Sequence, residues 1–239
     1  NTYDVTKFGA VCNGVTDDAT AIASAITSLS VTGGKLVFPN ATCVSSTVQT
    51  INVPVDKAVS VVGGGAGVTK VLFTSAIANG FVVFQGSQYG GVHFEGLSVI
   101  TNKANSGAAI ALINSVALGF PVNNSLTDVV VSGDVAAGPH YWTSGIVATN
   151  VSFIALSSVN VYGSSSFSGT TCFTFQGTAA SSINAIIANI DQSNFVYCGV
   201  GVYYGDWAQG LTIAHTNFQN GVTGVYTSNV TSGGTADQL

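Results

Sequence analysis

Carboxylates are scarce in this chain, and they are the groups from which a reaction would have to be built. Among 239 residues there are ten acids, five lysines, three histidines and no arginine. Hydrolysis of a glycosidic bond needs two carboxyl groups on opposite sides of it. Asp191 follows Ile186-Ile187-Ala188-Asn189-Ile190, and Asp206 sits in Tyr203-Tyr204-Gly205-Asp206-Trp207. Strand alternation puts Ile186, Ala188 and Ile190 on one side and Asn189 and Asp191 on the other. If the second segment lies one turn of chain further on, Asp191 and Asp206 meet beside Tyr203, Tyr204 and Trp207. Aromatic faces stack on the C–H-rich faces of sugars, so the two acids are candidate catalytic groups and the three rings candidate substrate-binding groups. The alternative is that Asp206 closes a Gly-Asp turn and Trp207 covers the loop.

Glu95 is the third catalytic candidate. In Val92-His93-Phe94-Glu95, alternation turns Val92 and Phe94 inward and His93 and Glu95 outward together. Such a pair binds a cation or transfers a proton, or is simply solvated. Pro139-His140-Tyr141-Trp142 forms a second aromatic cluster in a long loop, where binding residues are often placed. His140, Tyr141 and Trp142 are therefore substrate-binding candidates, with a buried anchor or a subunit contact as the alternative. His215, in the strand-like Leu211–Asn217, reads as structural. Gly63-Gly64-Gly65-Ala66-Gly67 lacks the Lys-Ser/Thr and the helix of a phosphate loop, so it reads as a turn. No metal site and no cofactor are expected.

The charge balance limits the partners. Net charge is −5 with only 6% of residues charged. That argues against nucleic acid, which needs clustered cations to displace counterions, and against acidic membrane surfaces. No run reaches the ~20 apolar residues that span a bilayer. A surface of Ser, Thr, Asn and Gly suits neutral sugars or other protein chains. Elimination of a uronate needs cationic or metal help; Lys7, Lys35, Lys57, Lys70 and Lys103 are the only fixed cations, which excludes an arginine-dependent lyase mechanism. Four Asn-x-Ser/Thr sequons, at Asn40, Asn123, Asn150 and Asn229, acquire meaning only in a eukaryotic secretory setting.

The elements that must position these residues begin at the N-terminus. Thr16 is placed as an N-cap with Asp17 and Asp18 in the first turn, where carboxylates complement the helix dipole. Ile22, Ala25, Ile26 and Leu29 recur at helical spacing, Gly33-Gly34 stops the helix, and Lys35–Phe38 reads as a strand closed by Pro39. The order D-V-x-x-F-G-A (from Asp4), G-V-T-D-D-A-x-A-I-x-x-A-I (from Gly14) and G-G-K-L-V-F-P (from Gly33) resembles the opening segment of the pectate-lyase-like right-handed parallel β-helix proteins. These include phage tailspikes and secreted polysaccharide-active enzymes. The strict match covers about a fifth of the chain, and Ser60–Thr69 resembles the next turns. The resemblance implies an all-β, single-stranded β-helix with an N-terminal capping helix, in which Thr16, Asp17 and Asp18 belong to the cap. It implies one domain, with residues 1–50 as cap and 51–239 as coils. It further implies polysaccharide as ligand, a homotrimer of tailspike type with other virion tail proteins as partners, and a virion or extracellular location. The polygalacturonase-type set of N-T-D, D-D, G-H-G and R-I-K is missing beyond Asp17-Asp18, so the resemblance carries no complete active site.

Repeated segments fit such a solenoid. Leu97-Ser-Val-Ile, Asp128-Val-Val-Val, Val159-Asn-Val-Tyr, Ser193-Asn-Phe-Val and Thr216-Asn-Phe-Gln are mutually similar. A second set starts at Ala109, Gly145, Cys172, Gly199 and Gly221, and a fixed period in this range marks stacked repeats. Looser spacing at Asn102–Gly107, Gly119–Ser125 and Gly133–Ser144 reads as loops. A Cys12–Cys43 bond would staple the cap, and Cys172 and Cys198 lie close to one coil apart, within disulfide reach on adjacent rungs; otherwise all four pack as buried thiols. The last residues, Ser232–Leu239, carry no evident capping element, so the sequence predicts either further chain or a neighbouring subunit over that end. Asn1 begins directly in the fold-forming segment, and the chain is read as a processed or internal piece.

Overall fold

A computed structural model describes residues 1–76, 78–86, 90–114, 123–136, 138–166, 169–178 and 185–228. The architecture is a right-handed parallel β-helix: among the described residues every strand pair is parallel, and the chain winds through three faces per coil. Strands β1 (Thr2–Asp4) and β2 (Asn13–Asp17) open the first, incomplete turn, followed by α1 (Ala19–Thr32). Coil one then runs through β3 (Gly34–Val37), β4 (Thr42–Ser45) and β5 (Gln49–Val53), and coil two through β6 (Val59–Val62), β7 (Lys70–Phe73) and β8 (Phe81–Gln85). In coils three and four the first two faces are spanned by single long strands, β9 (Val92–Thr101) and β11 (Asn124–Gly133), each followed on face three by β10 (Ala104–Asn114) and β12 (Tyr141–Thr149). Coil five is β13 (Ser152–Ser157), β14 (Asn160–Tyr162) and β15 (Thr171–Gln176). Coil six is β16 (Ala185–Asp191), β17 (Asn194–Val196) and β18 (Val200–Tyr204), and coil seven is β19 (Ala208–Ala214), β20 (Asn217–Gln219) and β21 (Thr223–Thr227).

Helix α1 stands where the opening turn would otherwise carry its third strand, and it packs on β5 at the N-terminal end of face three. Its Ile22, Ala25, Ile26 and Leu29 are buried, so the apolar stripe closes the core against water. The stacked coils begin at Gly34, inside the segment read from sequence as cap. No helix among the described residues is long and apolar enough to cross a membrane.

Interior columns explain the sequence repeats. On face one Leu36, Val61, Phe94, Leu126, Leu156, Ile190 and Ile213 stack in register. On face two the column is Cys43, Val71, Val99, Val131, Val161, Phe195 and Phe218. Rungs repeat at about 4.8 Å, so like side chains pack at van der Waals distance along the axis. The five similar segments from Leu97 to Thr216 are the successive rungs of face two, with Asp128 offset by one residue.

The corner between faces one and two is also a column. Gly96, Asp128, Ser158, Gln192 and His215 occupy equivalent places in coils three to seven, all with left-handed φ of 44–66°. One such residue turns the strand sharply while both flanking ladders continue. At the turn from face three to face one, Asn150 (φ 58°) accepts from Thr178 N at 2.8 Å, and its Nδ2 donates to Asn114 O at 3.3 Å. Asn150 is 5% exposed, so the third sequon serves as a structural ladder.

Candidate functional site

The sequence placed Thr16 as helix N-cap, and the structure corrects this. Thr16 lies in β2, its backbone N–H bonded to Asn13 Oδ1, and α1 starts only at Ala19. Asp17 and Asp18 precede the first turn. Buried Asp18 accepts from the backbone N–H groups of Val11 (2.7 Å), Cys12 and Val44 (3.1 Å). Asp17 accepts from Ala19 N at 3.1 Å and from the Ser46 hydroxyl at 2.5 Å. The Ser46 hydroxyl, aided by the backbone bonds, holds the Asp17 carboxyl below its ordinary range. These carboxylates anchor the cap to β4, and neither is placed for acid/base work. Among the described residues the one group of three close metal-ligating types is Cys12, Asp18 and Cys43. Its sulfurs are joined in a disulfide and its carboxylate is spent on three amides, so it does not fit a metal. A second disulfide joins Cys172 to Cys198, linking coil five to coil six.

Asp191 and Asp206 do not converge. Ala208, two residues after Asp206, pairs with Ala185 at one end of the β16–β19 ladder, while Asp191 pairs with Ala214 at the other. Six residues of strand separate the two places, roughly 15–20 Å, against the ~5–9.5 Å that glycoside hydrolysis uses. Asp191 instead bonds His215 Nδ1 at 2.9 Å across the corner, with both groups exposed.

The aromatic candidates also separate. Tyr204 is 4% exposed and donates its hydroxyl to Ala208 O at 2.9 Å; burial pushes its phenol pKa up. Trp142 is 2% exposed and packs edge-on to Phe73 at 5.9 Å, a core anchor and not a sugar platform. Alternation within β18 and β12 turns these two rings inward. Tyr203 faces outward, but it stacks on Tyr226 of the next coil at 5.7 Å with planes 17° apart. Rings stacked along the axis present their edges outward, so a chain lying on face three would meet hydroxyls and C–H edges. Tyr141 and Trp207 are half-buried at corners, and His140 Nδ1 ties to Asp134 at 2.7 Å.

Face one brings polar groups together over the greatest length. Its outward columns run Lys35, Ser60, His93, Ser125, Ala155, Asn189, Thr212 and Val37, Val62, Glu95, Thr127, Ser157, Asp191, Ala214. In coils four to seven the side chains of both columns are short, which leaves that stretch of the surface flat. In coils three and four His93 bonds the Ser125 hydroxyl at 2.8 Å, and Glu95 stands exposed two residues on. Burial lowers the His93 pKa, and the Glu95 charge only partly opposes it, so the ring is neutral at pH 7. Asp128 belongs beside them. It sits one residue past Thr127, which pairs with Glu95, so the Cα atoms of Glu95 and Asp128 are about 6 Å apart on adjacent rungs. Its side chain reaches over Gly96 to accept from Ala66 N at 3.1 Å. Residue spacing alone does not pair these acids, because the corner geometry that joins them is set by left-handed φ values at Gly96 and Asp128.

No family model matches the chain, and no curated protein matches it. Among solved structures it is similar to the catalytic unit of a thermostable GH87 α-1,3-glucanase from Streptomyces thermodiastaticus, with TM-score 0.52 and 16% identity. That likeness covers 94% of this chain and 42% of the glucanase unit. It is also similar to PfbA, a surface adhesin of Streptococcus pneumoniae, with TM-score 0.50, 10% identity and coverage of 89% of this chain and 56% of the adhesin. The chain therefore spans about half the length of these two structures. The likeness is one of fold: the pectate-lyase-like β-helix that the opening segment resembles is the fold the chain has.

Proposed function

We propose that this β-helix binds polysaccharide along the outer surface of face one, in an extracellular or virion setting. The observation that carries the reading is the pair of outward columns on face one, whose Ser60, Ser125, Thr127, Ser157, Thr212 and Asn189 present hydroxyls and an amide on successive rungs, with short side chains throughout coils four to seven. A sheet of this kind offers hydrogen-bonding groups at each rung to a chain of repeating hydroxyls. Two disulfides agree with an oxidising compartment, and the fold is shared with a glucanase and a surface adhesin. The finer form of the reading is a phage tailspike or tail-fibre domain, assembled as a homotrimer with other tail proteins, that recognises host surface glycan. Incubation with a broad panel of capsular, O-antigen and plant or fungal polysaccharides tests the binding; neither retention nor shortening of any chain overturns it. Light scattering tests the trimer, and a monomer at micromolar concentration removes the tailspike form.

A second reading adds catalysis, and the adjacent-rung placement of Glu95 and Asp128 favours it. Their Cα atoms lie about 6 Å apart on adjacent rungs, a backbone placement that lets both carboxyl groups reach one chain bound on face one. Here Glu95 would protonate the leaving oxygen and Asp128 attack or activate water. Asp128→Asn and Glu95→Gln each abolish depolymerisation while leaving the fold intact, on this reading; activity retained in both variants rules it out.

A further inference from the structure

Charge is distributed unevenly along the solenoid axis. Up to Lys103, five lysines balance Asp4, Asp17, Asp18, Asp56 and Glu95. Beyond it stand Asp128, Asp134, Asp191, Asp206 and Asp237 with no lysine or arginine, so the whole net charge of −5 belongs to residues 104–239. Coils four to seven therefore carry no fixed cation on any face. On face one the only lysine is Lys35, in coil one, while Glu95, Asp128 and Asp191 stand on or beside it in coils three, four and six.

From this distribution, and resting on the polysaccharide reading above, we infer that the glycan held by face one is an uncharged one and that uronate-bearing chains are excluded. A chain laid along the axis passes all three carboxylates within about 14 Å, three rungs of ~4.8 Å. Their fields overlap, since the screening length is ~8 Å at physiological salt. A uronate in any register of coils three to six meets at least one of these carboxylates and finds no arginine or lysine to pair with. His93 offers no compensation because its ring nitrogen is engaged with Ser125, and His215 is already turned to Asp191. A neutral chain meets none of this penalty. The hydroxyls of Ser60, Ser125, Thr127, Ser157 and Thr212 and the Asn189 amide can donate to or accept from its hydroxyls. Glu95, Asp128 and Asp191 thus act as specificity-determining residues by repulsion, the negative half of selectivity.

The test is a binding comparison, by affinity electrophoresis or calorimetry, of neutral glucans and galactomannans against polygalacturonate and alginate. Measurements are made near ~0.01 M and near ~1 M salt, where the screening length falls from about 30 Å to about 3 Å. Neutral chains are expected to bind independently of salt. Polyuronates are expected to bind at least about tenfold more weakly at low salt, with the gap closing at high salt. The triple variant Glu95→Gln, Asp128→Asn, Asp191→Asn narrows the low-salt gap; both amides retain an oxygen that can accept from Ala66 N and face His215. Polyuronate bound as tightly as neutral glycan at low salt overturns the inference while leaving the polysaccharide reading standing, as does a gap unchanged in the triple variant. Retention of no glycan of either kind removes both.

Discussion

Leu126 and Thr127 are neighbours in β11 with opposite fates, and the pair offers a strict test of the coil assignment. Leu126 is fully buried between Phe94 and Leu156 on the inner column of face one, whereas Thr127 points outward between Glu95 and Ser157. Leu126→Ala removes three carbon groups, worth about 2.4 kcal/mol of transfer free energy at ~0.8 kcal/mol each. The backbone ladders on both sides hold the rungs at their spacing, so the site cannot collapse. A residual cavity of roughly 50 Å³ adds about 1 kcal/mol at ~24 cal/mol per Å³, for a total near 3.5 kcal/mol. For a chain of this size each kcal/mol shifts Tm by about 2–4 °C, so the expected drop is about 7–14 °C. Thr127→Ala is expected to stay within about 0.5 kcal/mol. Urea unfolding followed by far-UV circular dichroism, with thermal scans of the same samples, measures both. Equal effects from the two substitutions, or a loss below about 1 kcal/mol for Leu126→Ala, would show that the alternation or the register is wrong. The site described on face one would then go with it, because a one-residue slip exchanges every inner and outer side chain.

Three further outcomes follow from the local chemistry. The His93 imidazole should titrate below its ordinary value of 6.5 in an NMR pH series, and Glu95→Gln should move it further down, since the glutamate charge is what opposes burial. The neutral ring's contribution to stability is complete above pH 6.5 and is lost as pH falls through the depressed folded value; a His93 pKa raised by Glu95→Gln contradicts this. Asp17 is likewise depressed, chiefly by the Ser46 hydroxyl, so its contribution is present above the usual aspartate range and disappears as pH falls through the lowered value. Acid unfolding of Asp17→Asn should therefore be less steep than that of the wild type. Replacing Cys172 and Cys198 by alanine together, which opens a loop of 26 residues, should cost about 3–4 kcal/mol in oxidising buffer and nothing extra under reductant.

Much of the architecture was legible because it is periodic. Alternation in Val92-His93-Phe94-Glu95 placed two residues inside and two outside, and the five similar segments were the rungs of one face. The opening segment disclosed the fold through its order of anchors, although the N-cap position falls at Asp18 and not Thr16, and its acids bond the backbone amides of Val44 and Ser46 as well as Ala19 N in the helix. The site was less legible. Register steps vary from 23 residues, between Ile190 and Ile213, to 37, between Ala104 and Tyr141, so no sequence spacing tells which rungs bring two distant acids together.

What the sequence determined by itself is thus the winding of the chain, the helix that opens it, the inward and outward sides of clearly alternating strands such as Val92–Glu95, and the absence of any arginine. Those properties are local, since a side chain's face follows from its immediate neighbours and its charge from its type. Only the tertiary structure decided that Asp191 turns to His215 instead of Asp206, that Trp142 and Tyr204 belong to the core, and that Asp128 stands beside Glu95. Each depends on how many residues a corner consumes and on left-handed backbone at Gly96, Asp128 and His215. Ordinary side chains adopt that conformation here because two continuous ladders hold it from both sides, and no propensity read one residue at a time records such support.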